Sequence, residues 1–186
     1  MMKKLILLGD SIRMIGYGTK VPEILKDEFE TWQPDDNGRF SKYTLRYVSH
    51  EWVPKIKDAD IIHWNNGLWD VNDLGDGVFT SKEEYVQNMT RIADHLLKLS
   101  KKVIFATTTP VNEPCSGHSN ARIEEYNKLI VPILKEKGII INDLYSALYP
   151  HRGEYLRDDR LHLGEGAIEL CTEQTVRIIR EVAKTL

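Results

Sequence analysis

Residues 5–11 read Leu5-Ile6-Leu7-Leu8-Gly9-Asp10-Ser11, a short apolar run that stops at a glycine and two polar residues. A continuous apolar run of this length is typical of a strand that is buried on both faces, as in a parallel sheet. We therefore expect a first strand that ends near Gly9, with Ser11 just beyond its carboxyl end. In open parallel sheets, ligand sites form outside that edge.

Similar apolar runs return along the chain, separated by segments whose apolar residues recur at helical spacing. The further strands are expected at residues 29–32, 61–64, 103–106 and 139–141, and helices are expected at residues 22–28, 85–99 and 123–133 and near the C-terminus. Such alternation predicts an α/β fold, a three-layer α/β/α domain with a parallel five-stranded sheet. Pro132 lies inside one helical pattern and should kink or split that helix.

Composition suits a single compact domain that spans residues 1–186, with 41% hydrophobic residues. The 25 basic and 28 acidic residues are mixed along the chain, and the net charge of -3 gives no reason to expect a nucleic acid or a membrane as partner. Cys115 and Cys171 are expected to be free thiols. The apolar run at residues 5–8 is too short for an export signal, so we expect a cytoplasmic protein, either a monomer or a homo-oligomer.

A second polar stretch, Asp159-Arg160-Leu161-His162, precedes the last helical pattern. A serine becomes a nucleophile when a histidine takes its proton and a carboxylate fixes the tautomer of that histidine. We therefore expect Ser11, His162 and Asp159 to form a catalytic triad. The alternative is structural, because serine and aspartate commonly cap turns and helix starts.

These two blocks, in this order, resemble those of the SGNH hydrolase superfamily, the GDSL esterases and lipases. The resemblance implies a flavodoxin-like three-layer fold, Ser11 as nucleophile, and Asp159 and His162 as its partners. It also implies a small-molecule ester as substrate. The remaining histidines show no metal-ligand spacing, so we expect neither a metal nor a cofactor.

The resemblance implies an oxyanion hole built from two middle blocks and the N–H of Ser11. In the second of the four blocks, residues 37–44, Lys42 stands where the family usually has a glycine whose backbone N–H is used. We expect Lys42 to supply that donor, with Gly38 as the alternative. The third block can be aligned with residues 67–70 or, just upstream, with residues 64–66, and in the first alignment Trp69 stands where the family has an asparagine. Asn65 or Asn66 then supplies the amide, and we expect Asn66.

The resemblance favours a serine ester hydrolase that acts on short acyl esters, above all acetyl esters of carbohydrates. Trp64 and Trp69 are candidates for a surface on which a sugar ring stacks, although Trp64 suits burial equally well. Two alternatives remain open. One is a lysophospholipase or thioesterase of the same fold, and the other is a non-catalytic binding module whose oxyanion hole has degraded.

Overall fold

A computed structural model describes residues 2–186. Its five strands are β1 Lys3–Leu8, β2 Phe29–Trp32, β3 Ala59–Asn65, β4 Ser100–Ala106 and β5 Ile140–Asn142. The helices are α1 Ser11–Met14, α2 Val21–Leu25, α3 Ser41–Ser49, α4 Val53–Ile56, α5 Lys82–Leu99, α6 Asn120–Glu136, α7 Leu144–Leu148, α8 Arg152–Tyr155 and α9 Glu165–Ala183. Short 3-10 turns lie at Tyr17–Thr19 and Tyr149–His151.

The sheet is entirely parallel, with the strand order β2-β1-β3-β4-β5. One helical layer holds α9, which packs against β3 and β5 and against α2 and α7. The other holds α5, which packs against β4 and against α3 and α6. The predicted three-layer α/β/α fold with a parallel five-stranded sheet is confirmed.

The apolar runs form the strands because both faces of the sheet are covered by helices. Leu5, Ile6, Leu7 and Leu8 of β1 are all fully buried. β5 begins and ends one residue later than the predicted run at residues 139–141. It includes Asn142 because this residue is buried and its side-chain amide bonds His63 and Thr175. A polar residue that is satisfied by tertiary partners can continue a buried strand.

Pro132 does not split α6, which is continuous from Asn120 to Glu136. Pro132 lies on the exposed side of the helix, so the carbonyl that it leaves without an intrahelical partner faces water. Elsewhere, among residues 2–186, no helix is both long and apolar enough to cross a membrane.

The register of β1 and β3 brings the Gly9-Asp10-Ser11 block next to the third block. Leu8 at the end of β1 pairs with Trp64 of β3. Gly9, Asp10 and Ser11 therefore leave the sheet beside Asn65, Asn66 and Gly67. Both segments emerge at the carboxyl edge, where sites of parallel sheets form.

Candidate active site

Ser11 is placed by a tight turn directly after β1. Gly9 has a φ of +155°, and a Cβ atom there would lie 1.9 Å from the Oδ1 atom of Asn65, so only glycine fits. Asp10 caps α1, and its carboxylate accepts hydrogen bonds from the Ile12 N–H at 2.9 Å and the Asn65 amide at 2.8 Å. This turn fixes Ser11 at the first position of α1.

Ser11, His162 and Asp159 form a continuous hydrogen-bonded chain. The His162 Nε2 atom lies 2.9 Å from the Ser11 Oγ atom, and the His162 Nδ1 atom lies 2.7 Å from the Asp159 Oδ2 atom. With Nδ1–H donating to the carboxylate, the lone pair of Nε2 faces the serine hydroxyl. The structure thus brings the three predicted triad residues together in the order that proton transfer from serine requires.

A residue in the left-handed backbone conformation lies between Asp159 and His162. It explains how these two side chains, only three positions apart, both turn towards the serine. Arg160 has a φ of +65°. The Asp159 Oδ1 atom accepts hydrogen bonds from the N–H groups of Leu161 at 3.0 Å and His162 at 2.9 Å. The turn holds Asp159 by one oxygen and leaves the other for the imidazole.

The same hydrogen bonds keep Asp159 ionised. Partial burial alone would raise its pKa, but the N–H groups of His162 and Leu161 and the imidazole of His162 together lower it to about 2. Hydrogen bonds that are donated to a carboxylate stabilise its charged form. Asp159 therefore remains an anion beside His162 at neutral pH.

Lys42 is the second residue of α3, and its backbone N–H has no acceptor among residues 2–186. Its side chain points away and forms a surface ion pair with Glu84 at 2.8 Å. The N-terminal end of a helix carries a partial positive charge and free N–H groups, which suits a developing oxyanion. Lys42 can thus offer a backbone donor without glycine, because its conformation is ordinary helix.

Gly38, the predicted alternative to Lys42, is not free to donate. Its N–H already bonds the carbonyl of Gly9 at 2.9 Å. This bond docks the segment before α3 against the turn that carries Ser11. Gly38 therefore has a structural role in joining the two blocks.

The contacts of Asn66 argue against the oxyanion role predicted for it. Asn66 is fully buried; its amide nitrogen donates to the Arg39 carbonyl at 2.9 Å and its oxygen accepts from the indole N–H of Trp64 at 2.6 Å. The amide of Asn65, the other candidate, is also used inside the fold: it donates to Asp10, and its oxygen accepts from the Tyr17 hydroxyl at 2.9 Å. Neither amide contacts Ser11.

A cleft of about 380 Å³ opens beside Ser11 and His162. Its other walls are Asn37, Leu68, Trp69, Asn72, His118 and Leu161. Trp69 is 42% exposed, whereas Trp64 is fully buried and packs on Phe105. Of the two tryptophans considered for stacking, only Trp69 is available to a ligand. A larger groove of about 710 Å³ lies between α6 and β5 and contains none of the predicted site residues.

Within residues 2–186, no group of three or more His, Cys, Asp or Glu side chains is placed to hold a metal ion.

No protein-family model matches the chain. Among curated proteins, the GDSL esterase/lipase WDL1 of Oryza sativa subsp. japonica is 32% identical over 123 residues, which cover 58% of this chain and 47% of the relative. A GDSL esterase/lipase of Arabidopsis thaliana is 24% identical over 201 residues, which cover 95% of this chain and 64% of that relative. The chain thus spans less than two thirds of the length of the curated relatives it matches.

Solved structures share the whole fold. A lipase/acylhydrolase from Enterococcus faecalis superposes with a TM-score of 0.80 at 22% identity, covering 97% of this chain and 96% of its own. The acetylxylan esterase Axe2 from Geobacillus stearothermophilus superposes with a TM-score of 0.79 at 18% identity, covering 95% of this chain and 94% of its own. The chain is thus similar in sequence to GDSL esterases and lipases, and it shares the fold of these solved structures.

Two buried residues that were not predicted from the sequence shape this site. Arg13 donates hydrogen bonds to the carbonyls of Gly9 at 3.2 Å, Pro34 at 2.9 Å and Asp36 at 2.8 Å. It follows Ser11 by two positions, and a lone arginine in a short helix carries no signal that it is buried. Only the tertiary fold shows that it joins the serine turn to the segment before α3.

Asp70 anchors the start of α3, where Lys42 lies. Its carboxylate accepts from the Ser41 N–H at 3.0 Å and from the Ser41 hydroxyl at 2.7 Å. Burial raises the pKa of Asp70 to about 6, although the hydrogen bonds from Ser41 act in the opposite direction. The aspartate of the third block therefore holds the serine of the second block.

The raised pKa of Asp70 predicts a specific pH dependence of stability. The folded chain holds the proton of Asp70 up to about pH 6, whereas the ordinary pKa is 3.8. The resulting contribution to the free energy of unfolding is present below about pH 4 and lost as the pH rises through about 6. Asp70→Asn, which does not titrate, should change less in stability over this range. Urea unfolding at a series of pH values measures the difference between variant and parent.

The exposed Asp76→Asn serves as the control for this comparison, because Asp76 lies on a surface loop. An Asp70→Asn chain whose unfolding free energy follows the parent over the whole pH range would contradict the assignment.

Proposed function

We propose that the protein is a serine ester hydrolase that removes small acyl groups, chiefly acetyl, through a covalent acyl-enzyme intermediate. The observation that carries the proposal is the hydrogen-bonded chain from Ser11 through His162 to Asp159. The nucleophile, the base and the orienting carboxylate each face the next member of the chain. The similarity to GDSL esterases and lipases supports the same reaction class.

In the first step, the Ser11 Oγ atom attacks the ester carbonyl while His162 Nε2 takes the serine proton. The carbonyl oxygen becomes an oxyanion, which the N–H groups of Ser11 and Lys42 stabilise. Collapse of this intermediate breaks the bond between the carbonyl carbon and the alcohol oxygen. His162 returns the proton to the leaving alcohol, and the acyl group stays on Ser11.

In the second step, His162 takes a proton from water, and the water oxygen attacks the acyl carbon. The ester bond to Ser11 then breaks, and the proton returns to the serine oxygen. Asp159 remains ionised throughout and stabilises the imidazolium that forms in both steps. The low pKa of Asp159 supports this role.

The cleft supports a small acyl group and a polar alcohol. Leu68 and Leu161 supply apolar surface near Ser11, whereas Asn37, Asn72 and His118 offer polar groups. The half-exposed ring of Trp69 suits stacking on a sugar. Axe2, which shares the fold, is an acetylxylan esterase, and this agrees with an acetylated carbohydrate as substrate.

A longer-chain lipase or thioesterase activity has one observation in its favour. The apolar side chains of Leu74 and Phe79 are exposed on the loop that follows Trp69. A non-catalytic binding module is favoured by Trp69 itself, which replaces the amide expected in the oxyanion hole. Acyl-length preference and activity distinguish these alternatives from the proposal.

Hydrolysis of p-nitrophenyl acetate, butyrate and octanoate by the parent and by Ser11→Ala tests the proposal. The parent should turn over the acetate fastest, and Ser11→Ala should lose at least about a thousandfold in kcat, because the nucleophile is gone. Ser49→Ala, which removes a hydroxyl at the far end of α3, is the matched control. Activity that survives in Ser11→Ala would overturn the nucleophile. Preference for octanoate would favour the lipase alternative, and an inactive parent would favour the binding module.

Two substitutions of Lys42 test whether its backbone N–H stabilises the oxyanion. Lys42→Pro removes the N–H, whereas Lys42→Ala keeps it. The chain already carries prolines at the second position of α2 and α4, so proline is compatible with this position of a helix. Lys42→Pro should lose on the order of a hundredfold in kcat, and Lys42→Ala far less. Equal losses in both variants, with circular dichroism unchanged, would assign the effect to the side chain instead.

A further inference from the structure

The oxyanion hole of this chain lacks the side-chain amide that its third block should provide. Trp69 occupies the expected position, and the amides of Asn65 and Asn66 bond inside the fold. The loss of one such donor costs a serine hydrolase on the order of a hundredfold to a thousandfold in kcat. If the chain is an ester hydrolase, a donor from another place in the fold is expected.

We propose that the side-chain amide of Asn37 is that donor, and this inference rests on the proposed ester hydrolase function. Asn37 lines the same cleft as Ser11 and His162. It precedes Gly38, whose N–H bonds the Gly9 carbonyl at 2.9 Å, two residues before Ser11. The second block therefore places Asn37 beside the turn that carries the serine.

The orientation of the Asn37 amide follows from its contacts. Its Oδ1 atom lies 2.8 Å from the backbone N–H of Arg39. Only the oxygen of the amide accepts from an N–H group, so this contact identifies the NH₂ group as the opposite end. Among residues 2–186, no acceptor is within hydrogen-bond distance of that NH₂ group. A donor in the cleft wall is thus left for a ligand.

The backbone around Asn37 is held on three sides, as a preorganised donor requires. Asn66 of the third block donates to the Arg39 carbonyl at 2.9 Å. Arg13 donates to the carbonyls of Pro34 and Asp36. The Thr44 hydroxyl donates to the Gly38 carbonyl at 2.7 Å. Asn66 then acts as a positioning residue, because it fixes the segment that presents Asn37.

Two other donors in the cleft are less well suited. The side chain of Asn72 has no hydrogen-bond partner at either end within the described chain, so nothing fixes its orientation. Trp69 carries its N–H at the end of a long side chain that is 42% exposed. Catalytic donors gain their effect from being fixed before the reaction begins, and this favours Asn37.

The test compares Asn37→Asp and Asn37→Ala with Asn72→Ala and Trp69→Phe in the hydrolysis of p-nitrophenyl acetate. Asn37→Asp keeps the oxygen that bonds Arg39 and replaces the donor by a negatively charged oxygen, so the loop should keep its conformation while kcat falls at least as far as in Asn37→Ala. Both Asn37 variants should lose about a hundredfold in kcat, with KM within about threefold, because the donor acts on the transition state. Asn72→Ala and Trp69→Phe should lose less activity, and their main effect should be a higher KM.

Phenylboronic acid provides a second readout, since it forms a tetrahedral adduct on a reactive serine. Its inhibition constant should rise in the Asn37 variants in proportion to the loss of kcat, which a purely structural role would not produce. The proposal is overturned if the Asn37 variants keep the parent kcat, or if Asn72→Ala or Trp69→Phe carries the hundredfold loss. If the parent is active, Ser11→Ala is inactive and the Asn37 variants are normal, the role of Asn37 is refuted and the ester hydrolase function stands. If the parent is inactive, both are refuted.

Discussion

The buried guanidinium of Arg13 joins the two segments from which the site is assembled. It donates to the Gly9 carbonyl of the serine turn and to the Pro34 and Asp36 carbonyls of the segment before α3. Burial lowers the pKa of Arg13, while nearby acidic groups, among them Asp10 and Asp36, act in the opposite direction. A buried cation is tolerated where hydrogen-bond acceptors surround it. Together with the bond from the Gly38 N–H to the Gly9 carbonyl, these bonds hold the segment before α3 against the serine turn.

The third block completes this assembly from the opposite side. Asp70 holds the start of α3 through Ser41, and Asn66 holds the carbonyl of Arg39. Both residues follow β3, the neighbour of β1 in the sheet. The parallel register therefore makes three distant stretches of sequence meet at one edge, and polar side chains lock them there. His162 reaches the same edge from the loop before α9.

The fold and the triad could be predicted from the sequence, and the reasons are local. Continuous apolar runs such as Leu5–Leu8 leave little choice besides a doubly buried strand. Ser11 directly follows such a run. Asp159 and His162 are so close in sequence that one tight turn, made at Arg160, brings their side chains together. Strand boundaries were less accurate because polar residues also belong to strands. β4 begins at Ser100, three residues before the predicted run, and β5 ends at Asn142, whose side chain is satisfied by partners distant in sequence.

The amide of the oxyanion hole could not be predicted in the same way. Asn65 and Asn66 follow a strand at the functional edge, and this position alone favours a catalytic role. Their side chains are instead buried, donate to Asp10 and Arg39, and do not line the cleft beside Ser11. Such long-range contacts cannot be recognised in the local sequence. The exposure of the two tryptophans could not be predicted from the sequence either. Only the fold shows that Trp64 is buried and Trp69 is exposed.

The most direct test of the account is covalent labelling of Ser11 by phenylmethylsulfonyl fluoride, followed by peptide mass spectrometry. The reagent forms a sulfonate ester on an activated serine oxygen and releases fluoride. The account predicts one adduct per chain, located on the peptide that contains Ser11, and little or no adduct in His162→Ala under the same conditions. An adduct on a different residue, or equal labelling of Ser11 without His162, would contradict the claim that this histidine activates this serine.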